Sequence, residues 1–224
     1  MPDTQIYVQD YVRTEKPRHQ SSAVRRHAPK LGNPTPLGLS AFALSTMVVS
    51  FYNFNAFSIT APNMVVGVSL FTGGVVQFAA GMWEFKVGNT FGGTGFSAFG
   101  GFWASFGVIY IPAFGILDAY KDNDRELNNA LAVYCLAWLI FTFIFTLACI
   151  RTNLGVLSAF ICLTMTFGAL TLYHFTITSF FVKLAGVLGI MTSSIVWYCM
   201  AATLLTPDLS PISLPLGDLS RKDN

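Results

Sequence analysis

Charge is what this sequence has least of. Charged residues make up only 11% of its 224 residues, whereas a soluble globular domain carries about 25%. Ten of the 11 acidic residues lie in the terminal segments or in the stretch 118–126, so the long apolar runs are almost free of acids. Hydrophobic residues reach 53%, and the mean hydropathy is +0.56. Too few charges are present to cover a soluble surface, so the chain is predicted to be a polytopic membrane protein.

Residue patterns typical of enzymes and metal centres are also lacking. The four cysteines have no metal-site or disulfide spacing, and the three histidines do not cluster. No GxSxG or HExxH motif occurs, and the glycine-rich run 92–95 lacks the lysine and the preceding strand of a phosphate-binding loop. The sequence therefore argues against an enzyme, and we expect no metal, no cofactor and no nucleic-acid partner.

Six apolar runs approach the length of about 20 residues that crosses ~30 Å of hydrocarbon. They cover residues 37–56, 63–84, 92–115, 128–150, 154–174 and 180–204. The third run is the weakest because glycines interrupt it, among them Gly92, Gly93, Gly95, Gly100 and Gly101. The sequence thus predicts an all-α, six-helix transmembrane bundle over 33–205. A disordered basic tail over 1–32 and a short tail over 206–224 are predicted to flank it.

The basic residues predict the orientation of this bundle. With the N-terminus inside, ten of the 13 lysines and arginines fall on the cytoplasmic side and three on the outer side. Cytoplasmic loops carry an excess of lysine and arginine. Both termini are therefore predicted to be cytoplasmic.

The first, third and fifth helices are predicted to begin on the cytoplasmic side with a similar pattern of asparagine, an apolar residue and glycine. The residues concerned are Asn33, Pro34, Pro36, Leu37 and Gly38, then Asn89, and then Asn153. Asparagine is a favoured N-cap, and proline in the first turn gives up only an N–H without an intrahelical partner. The pattern favours rigid capping. It leaves open a second role, in which three positive helix ends attract an anion.

The same repetition suggests three helical hairpins, 1–2, 3–4 and 5–6, arranged around a path. No acidic or basic residue lies at mid-depth in any predicted span. Pumps and ion-coupled carriers usually place such residues inside the membrane. The residues therefore favour a pore or a weakly coupled facilitator for a small solute.

Three stretches carry a resemblance to a known family. NPTPLGL at 33–39 resembles the NPAPLGL signature of the microbial acetate uptake transporters, the acetate and succinate–acetate permeases. GMWEFKVGNTFGGTGFSAFGGFW at 81–103 resembles the second long motif of that family, and IPAFGILDAYKD at 111–122 is similar to its fungal members. The resemblance extends from about residue 30 to residue 205, and the basic N-terminal tail is similar to the fungal form.

The resemblance implies a homohexamer of six-helix protomers in the plasma membrane, each with its own path for acetate, succinate and other short carboxylates. Proton coupling is often proposed for the family. Its narrow hydrophobic constriction is formed by a Phe, a Leu and a Tyr, which match Phe42, Leu163 and Phe99 here. This chain therefore has no hydroxyl at the third of these positions.

Polar residues near the implied path are candidates for solute contact. They are Ser45, Thr46, Gln77 and Thr164, and for each of them interhelical hydrogen bonding is the alternative role. Glu84, at the inner end of the second helix, is expected to pair with Lys86 or with a neighbouring helix start, and proton coupling is its alternative role.

Three functions stay open on the sequence. The first is a channel or proton-coupled transporter for short carboxylates. The second is a channel for ammonia or another small neutral or weakly basic solute, which an apolar constriction would also suit. The third is a membrane sensor or scaffold that transports nothing and works through the basic tail.

Overall fold

The computed structural model describes residues 31–59, 61 and 63–220, and that part of the chain contains helices, turns and one isolated β-bridge. Most of the predicted tail 1–32 lies outside it. The long helices are α1 (Thr35–Asn53), α2 (Asn63–Lys86), α3 (Thr90–Ile109), α4 (Asp124–Ala148), α5 (Leu154–Thr176) and α6 (Ser179–Leu204). They belong to one compact unit that begins at Asn33. The prediction of an all-α fold is confirmed for the described residues.

Five of these helices have the length and hydropathy needed to cross a membrane, namely α1, α2, α4, α5 and α6. The exception is α3, the helix whose sequence signal is weakest. Six of its 20 residues are glycine, which adds length to the helix but little hydropathy.

A π-helical segment, Val68–Val76, interrupts the α-helical course of α2. Segments of π-helix are rare, and they occur frequently at functional sites. A Cβ added to Gly73 in this segment would overlap the indole of Trp103 and lie 2.8 Å from Oγ of Ser45. At this level the absent side chain of Gly73 therefore lets α2 pack against both Ser45 of α1 and Trp103 of α3.

Backbone contact between α2 and α3 depends on glycine at further levels as well. A Cβ on Gly100 would lie 2.8 Å from the backbone nitrogen of Phe78, and one on Gly81 would lie 2.5 Å from the nitrogen of Ser97. Small residues allow helix backbones to pack this closely in lipid, where no hydrophobic effect drives helices together. The glycines that weaken the hydropathy of α3 are thus the residues that fit it against α2.

The helices pack in an order that differs from three simple hairpins. Close backbone packing joins α1 to α6 and to α2, α6 to α5, α5 to α4, and α2 to α3. The predicted pairs 1–2 and 5–6 are therefore present, and helices 3 and 4 also face each other, but through side chains and not through close backbone contact. Aromatic rings separate these two backbones: Phe99 stacks on Trp138 at 5.7 Å, and Phe102 stacks on Tyr134 at 5.9 Å.

Candidate functional site

Three side chains from different helices meet in the buried core. Phe42 of α1 and Phe99 of α3 pack edge to face, with ring centroids 5.2 Å apart, and Leu163 of α5 belongs to the same buried cluster. Their exposed fractions are 7%, 3% and 5%, respectively. The aromatic pair has the geometry that ring quadrupoles favour. We call these three residues the partition.

The partition lies between two cavities. The larger cavity has a volume of about 320 Å³ and the smaller one about 40 Å³. Phe42, Phe99 and Leu163 line both cavities, and no other residue in the described part of the chain does so. The three residues that the family resemblance selects are therefore the three that stand between the two spaces.

The larger cavity extends toward the end of the bundle where α1, α3 and α5 begin. Its polar wall at that end includes Thr35, Asn89 and Asn153, and its interior includes Leu39, Phe160 and Val196 on an otherwise mainly apolar surface. The smaller cavity extends toward the opposite end of α1, where Asn53 lines it. Among the described residues, no charged side chain lines either cavity.

Gln77 brings an amide to the larger cavity. Its side chain is fully buried, and neither Nε2 nor Oε1 has a hydrogen-bond partner among the described residues. Leaving a buried amide unpaired is costly, and membrane interiors offer little water to pair it. An amide in this position can donate a hydrogen bond to a carboxylate and accept one from a protonated acid.

The other three polar candidates have different surroundings. Thr46 lines the smaller cavity, and Ser45 lies against the π-helical segment of α2 at Gly73. The hydroxyls of Ser45 and Thr46 are buried without a partner among the described residues. Thr164 lines neither cavity and shares a hydrogen bond of 2.9 Å with Thr146 of α4. For this threonine the structure favours interhelical hydrogen bonding over solute contact.

Asparagine caps two of the three helices as the sequence predicts. The Asn89 side chain accepts the Gly92 N–H of α3 at 3.0 Å, and the Asn153 side chain accepts the Val156 N–H of α5 at 2.8 Å. At α1 the Asn33 side chain also accepts a backbone N–H, that of Thr35 at 3.0 Å, and Pro34, which has helical backbone angles, lies between these two residues.

The remaining signature residues follow this start of α1. Pro36 lies in the first turn, Leu37 is half exposed, and the N–H groups of Leu37 and Gly38 donate to the Pro34 carbonyl. A Cβ on Gly38 would overlap the ring of Phe96, so glycine brings α1 close to α3 here. The signature therefore fixes how α1 begins beside α3.

Glu84 joins the starts of two helices. Its carboxylate accepts the Thr35 hydroxyl at 2.6 Å and the Asn89 amide at 2.7 Å, and it is 1% exposed. Both donors line the mouth of the larger cavity. Of the two pairings expected from the sequence, the one with a neighbouring helix start is confirmed. The expected pairing with Lys86 is not formed.

The C-terminal segment, residues 205–220, makes contacts that its prediction as a short tail does not include. After a turn it runs back to the start of α5, where the Gly217 carbonyl accepts the Leu154 N–H at 2.7 Å and the Leu216 carbonyl accepts the Gly155 N–H at 3.2 Å. Together with the Asn153 cap, these bonds occupy the first N–H groups of α5. The interpretation of three free, positive helix ends therefore does not hold for α5. No local pattern signals these contacts, because they join residues far apart in the chain.

The helices, the uncharged cavities and the partition define an all-helical, multi-pass membrane protein with internal space on both sides of a closed apolar layer. Comparison with known proteins refines this class. The model of the GPR1/FUN34/yaaH family matches residues 16–221. The chain belongs to this family.

Named proteins and a solved structure are similar to this chain. Ammonia transport outward protein 2 of Saccharomyces cerevisiae is 46% identical over 194 residues, which cover 84% of this chain and 69% of that protein. Acetate permease A of Emericella nidulans is 35% identical over 200 residues, covering 85% of this chain and 67% of that one. Among solved structures, the bacterial acetate channel SatP matches with a TM-score of 0.74 and 28% identity, over 84% of this chain and all of that chain.

Proposed function

We propose that this protein transports acetate and other short carboxylates, succinate among them, across the plasma membrane through each protomer, and that it is a transporter rather than an enzyme. The observation that carries the proposal is the pair of uncharged cavities on either side of the partition, with the unpartnered Gln77 amide in the larger one. The likeness to an acetate channel and to acetate permease A supports the choice of solute.

The partition is the proposed constriction. Two aromatic rings and a leucine exclude water from a short layer, and hydrophobic constrictions of this kind gate by dewetting. The methyl group of acetate fits apolar walls, whereas its carboxylate loses hydration there and gains a hydrogen bond from Gln77. Phe99 supplies ring volume without the hydroxyl of the family tyrosine, so no hydrogen bond from this position assists the solute. Thr46 is the next polar group on the far side.

Glu84 is the proposed coupling residue if transport depends on a proton gradient. It is the one buried acidic side chain in the described part of the chain, and its two hydrogen-bond donors both line the mouth of the larger cavity. Loss or gain of a proton at this carboxylate would change how Thr35 and Asn89 are held. The passive-channel alternative requires no such change.

We also propose how the protein is arranged in the membrane. All six long helices span the bilayer, including the glycine-rich α3, and both termini face the cytoplasm, as the distribution of basic residues favours. The basic segment 1–32 and the residues after α6 then lie on the cytoplasmic side. Protomers associate as a hexamer, with one path in each.

Transport of ammonia is the second candidate. A relative with 46% identity carries ammonia transport in its name, and cavities without charged side chains suit a neutral solute equally well. The two candidates differ in what competes for the path, because a carboxylate and ammonia share neither charge nor hydrogen-bonding pattern.

The deciding experiment is uptake of labelled acetate into proteoliposomes that contain the full-length protein, with and without an inward proton gradient. We expect saturable uptake that unlabelled propionate inhibits and that ammonium and urea leave unchanged. The response to the gradient separates the coupled transporter from the channel. Acetate uptake equal to that of empty liposomes, with ammonia flux above theirs, would replace the first candidate with the second.

Gln77→Leu is expected to reduce acetate uptake by about tenfold, because a hydrogen bond to a charged group contributes on the order of 1.5–3 kcal/mol. The same change is expected to preserve or raise stability, because it removes a buried amide without a partner. Uptake kinetics and thermal unfolding of the purified protein in detergent measure the two effects.

Thr164→Val is the matched control, since it also removes a polar group from the bundle. Its hydroxyl bonds to Thr146 away from both cavities. We expect it to lower stability by about 1 kcal/mol and to leave uptake per folded protein unchanged. Equal losses of uptake in the two variants would refute a solute contact at Gln77.

A further inference from the structure

The C-terminal segment forms part of the wall of the larger cavity. Leu216 lines that cavity and is half-buried, whereas Pro215 and Gly217 on either side of it are exposed. Its side chain reaches inward beside Gly155 of α5, where a Cβ would lie 3.5 Å from a Leu216 methyl group and 2.6 Å from Sγ of Cys199. The missing side chain of Gly155 leaves the space that Leu216 and Cys199 share.

Main-chain hydrogen bonds hold the segment at the start of α5. Besides the carbonyls of Leu216 and Gly217, the Leu219 N–H donates to the Thr152 carbonyl at 3.1 Å. The Tyr198 hydroxyl of α6 donates to the Pro215 carbonyl at 2.7 Å. Hydrogen bonds to α6 on one side and to the start of α5 on the other therefore hold Leu216 in place.

We propose that the C-terminal segment is a lid over the larger cavity, with Leu216 as the side chain that closes it and thereby controls how solute reaches the partition. The expected effect of the lid on transport rests on the proposed function, whereas the position of the segment against the cavity does not.

The contacts suit a lid that opens. Three leucines of the segment are half-buried, Leu205, Leu214 and Leu216, and of these Leu216 lines the larger cavity. Leu209 is 77% exposed and Ile212 is 58% exposed. Segments with few buried apolar contacts and exposed backbone hydrogen bonds open locally far more easily than core helices. Opening would remove Leu216 from the cavity wall and free the Leu154 and Gly155 N–H groups at its mouth, where a helix start favours negative charge.

Cys199 provides a readout that does not depend on transport. Its side chain lines the larger cavity, and the residue is 1% exposed beneath the lid. The other cysteines, Cys135, Cys149 and Cys162, line neither cavity. Labelling of the full-length protein in nanodiscs by a small, charged thiol reagent, resolved by peptide mass spectrometry, therefore reports lid opening at Cys199 and uses the other three as internal references.

Two variants open the lid in different ways. Leu216→Ala removes the closing side chain, and Gly217→Ala places a Cβ 3.0 Å from Cβ of Leu154 at a residue whose φ is +70°. We expect each to raise the labelling rate of Cys199 by about tenfold, which corresponds to a loss of about 1.4 kcal/mol in the free energy that keeps the lid closed. We also expect faster acetate uptake at low acetate concentration.

Each variant has a control. Leu209→Ala makes the same change at an exposed leucine of the same segment, and Gly115→Ala carries comparable backbone strain at φ +65° with nothing within 4 Å of the new Cβ. Neither should alter labelling. Unchanged labelling of Cys199 in both lid variants, or an equal rise in the controls, would overturn the lid. Faster labelling without any acetate uptake by the wild-type protein would uphold the lid and reject acetate as the solute.

Discussion

Phe42→Ala is expected to let longer carboxylates pass the partition and to raise the ratio of butyrate to acetate uptake by about tenfold. The ring of Phe42 lines both cavities and packs against Phe99, so its removal joins the two spaces. Pockets that discriminate by one methylene do so by roughly 10–200-fold, and removal of the wall forfeits that discrimination. Competitive uptake of the two labelled acids into proteoliposomes measures the ratio directly.

Phe145→Ala is the matched control, because Phe145 has the same 7% exposure as Phe42 and lines neither cavity. It packs against Phe141 at 4.6 Å between ring centroids. Both variants lose about 3–5 kcal/mol of packing energy, so uptake is compared per folded protein. If the uptake ratio rose equally in both, selectivity would depend on general loosening of the core and not on the partition.

Gly186→Ala is expected to destabilise the bundle by about 3 kcal/mol, because it forces a methyl group into a packed backbone contact. A Cβ at this position of α6 would lie 2.6 Å from the backbone nitrogen of Phe54 and 2.9 Å from its Cα. Backbone cannot rotate aside as a flexible side chain can, so the end of α1 must move away from α6. Thermal or denaturant unfolding of the purified protein in detergent gives the change in free energy.

Gly101→Ala provides the opposite case, since a Cβ there would meet nothing within 4 Å. The residue is exposed in the interior of α3, where alanine favours the helix by up to about 1 kcal/mol over glycine. We expect unchanged or higher stability. A loss of stability in this variant similar to that of Gly186→Ala would show that the effect of Gly186 does not come from contact with α1.

Local features of this fold could be predicted from the sequence. The asparagines that precede α3 and α5 cap those helices because capping needs only the residue and the first turn behind it. At α1 the asparagine also accepts a backbone N–H, but because Pro34 adopts helical angles, the donor is the second residue after Asn33 and not the third. The Glu84 pairing could be expected only as one of two alternatives, since its partners come from two helices.

Features that depend on long-range packing could not be predicted. The separation of α3 from α4 results from how rings such as Phe102 and Trp138 fill the space between them. Neither the π-helical segment of α2 nor the contact of Leu216 with the cavity has a periodic signal in the sequence. The family resemblance indicates the three partition residues. Without it, two phenylalanines and a leucine in apolar helices would be interpreted as ordinary core residues. Their position between two cavities is a property of the folded chain.

The glycine content of α3 has a consequence for biosynthesis. Insertion of a helix into a membrane is driven by its summed apolar character, and α3 is the long helix that falls short of the hydropathy of a membrane-spanning segment. Its glycines instead fit it to the backbone of α2. The two helices are therefore expected to enter the bilayer as a pair, with α2 supplying the apolar character. Bulky residues at Gly81 or Gly100 would then reduce the amount of protein that reaches the membrane before they affect what it transports.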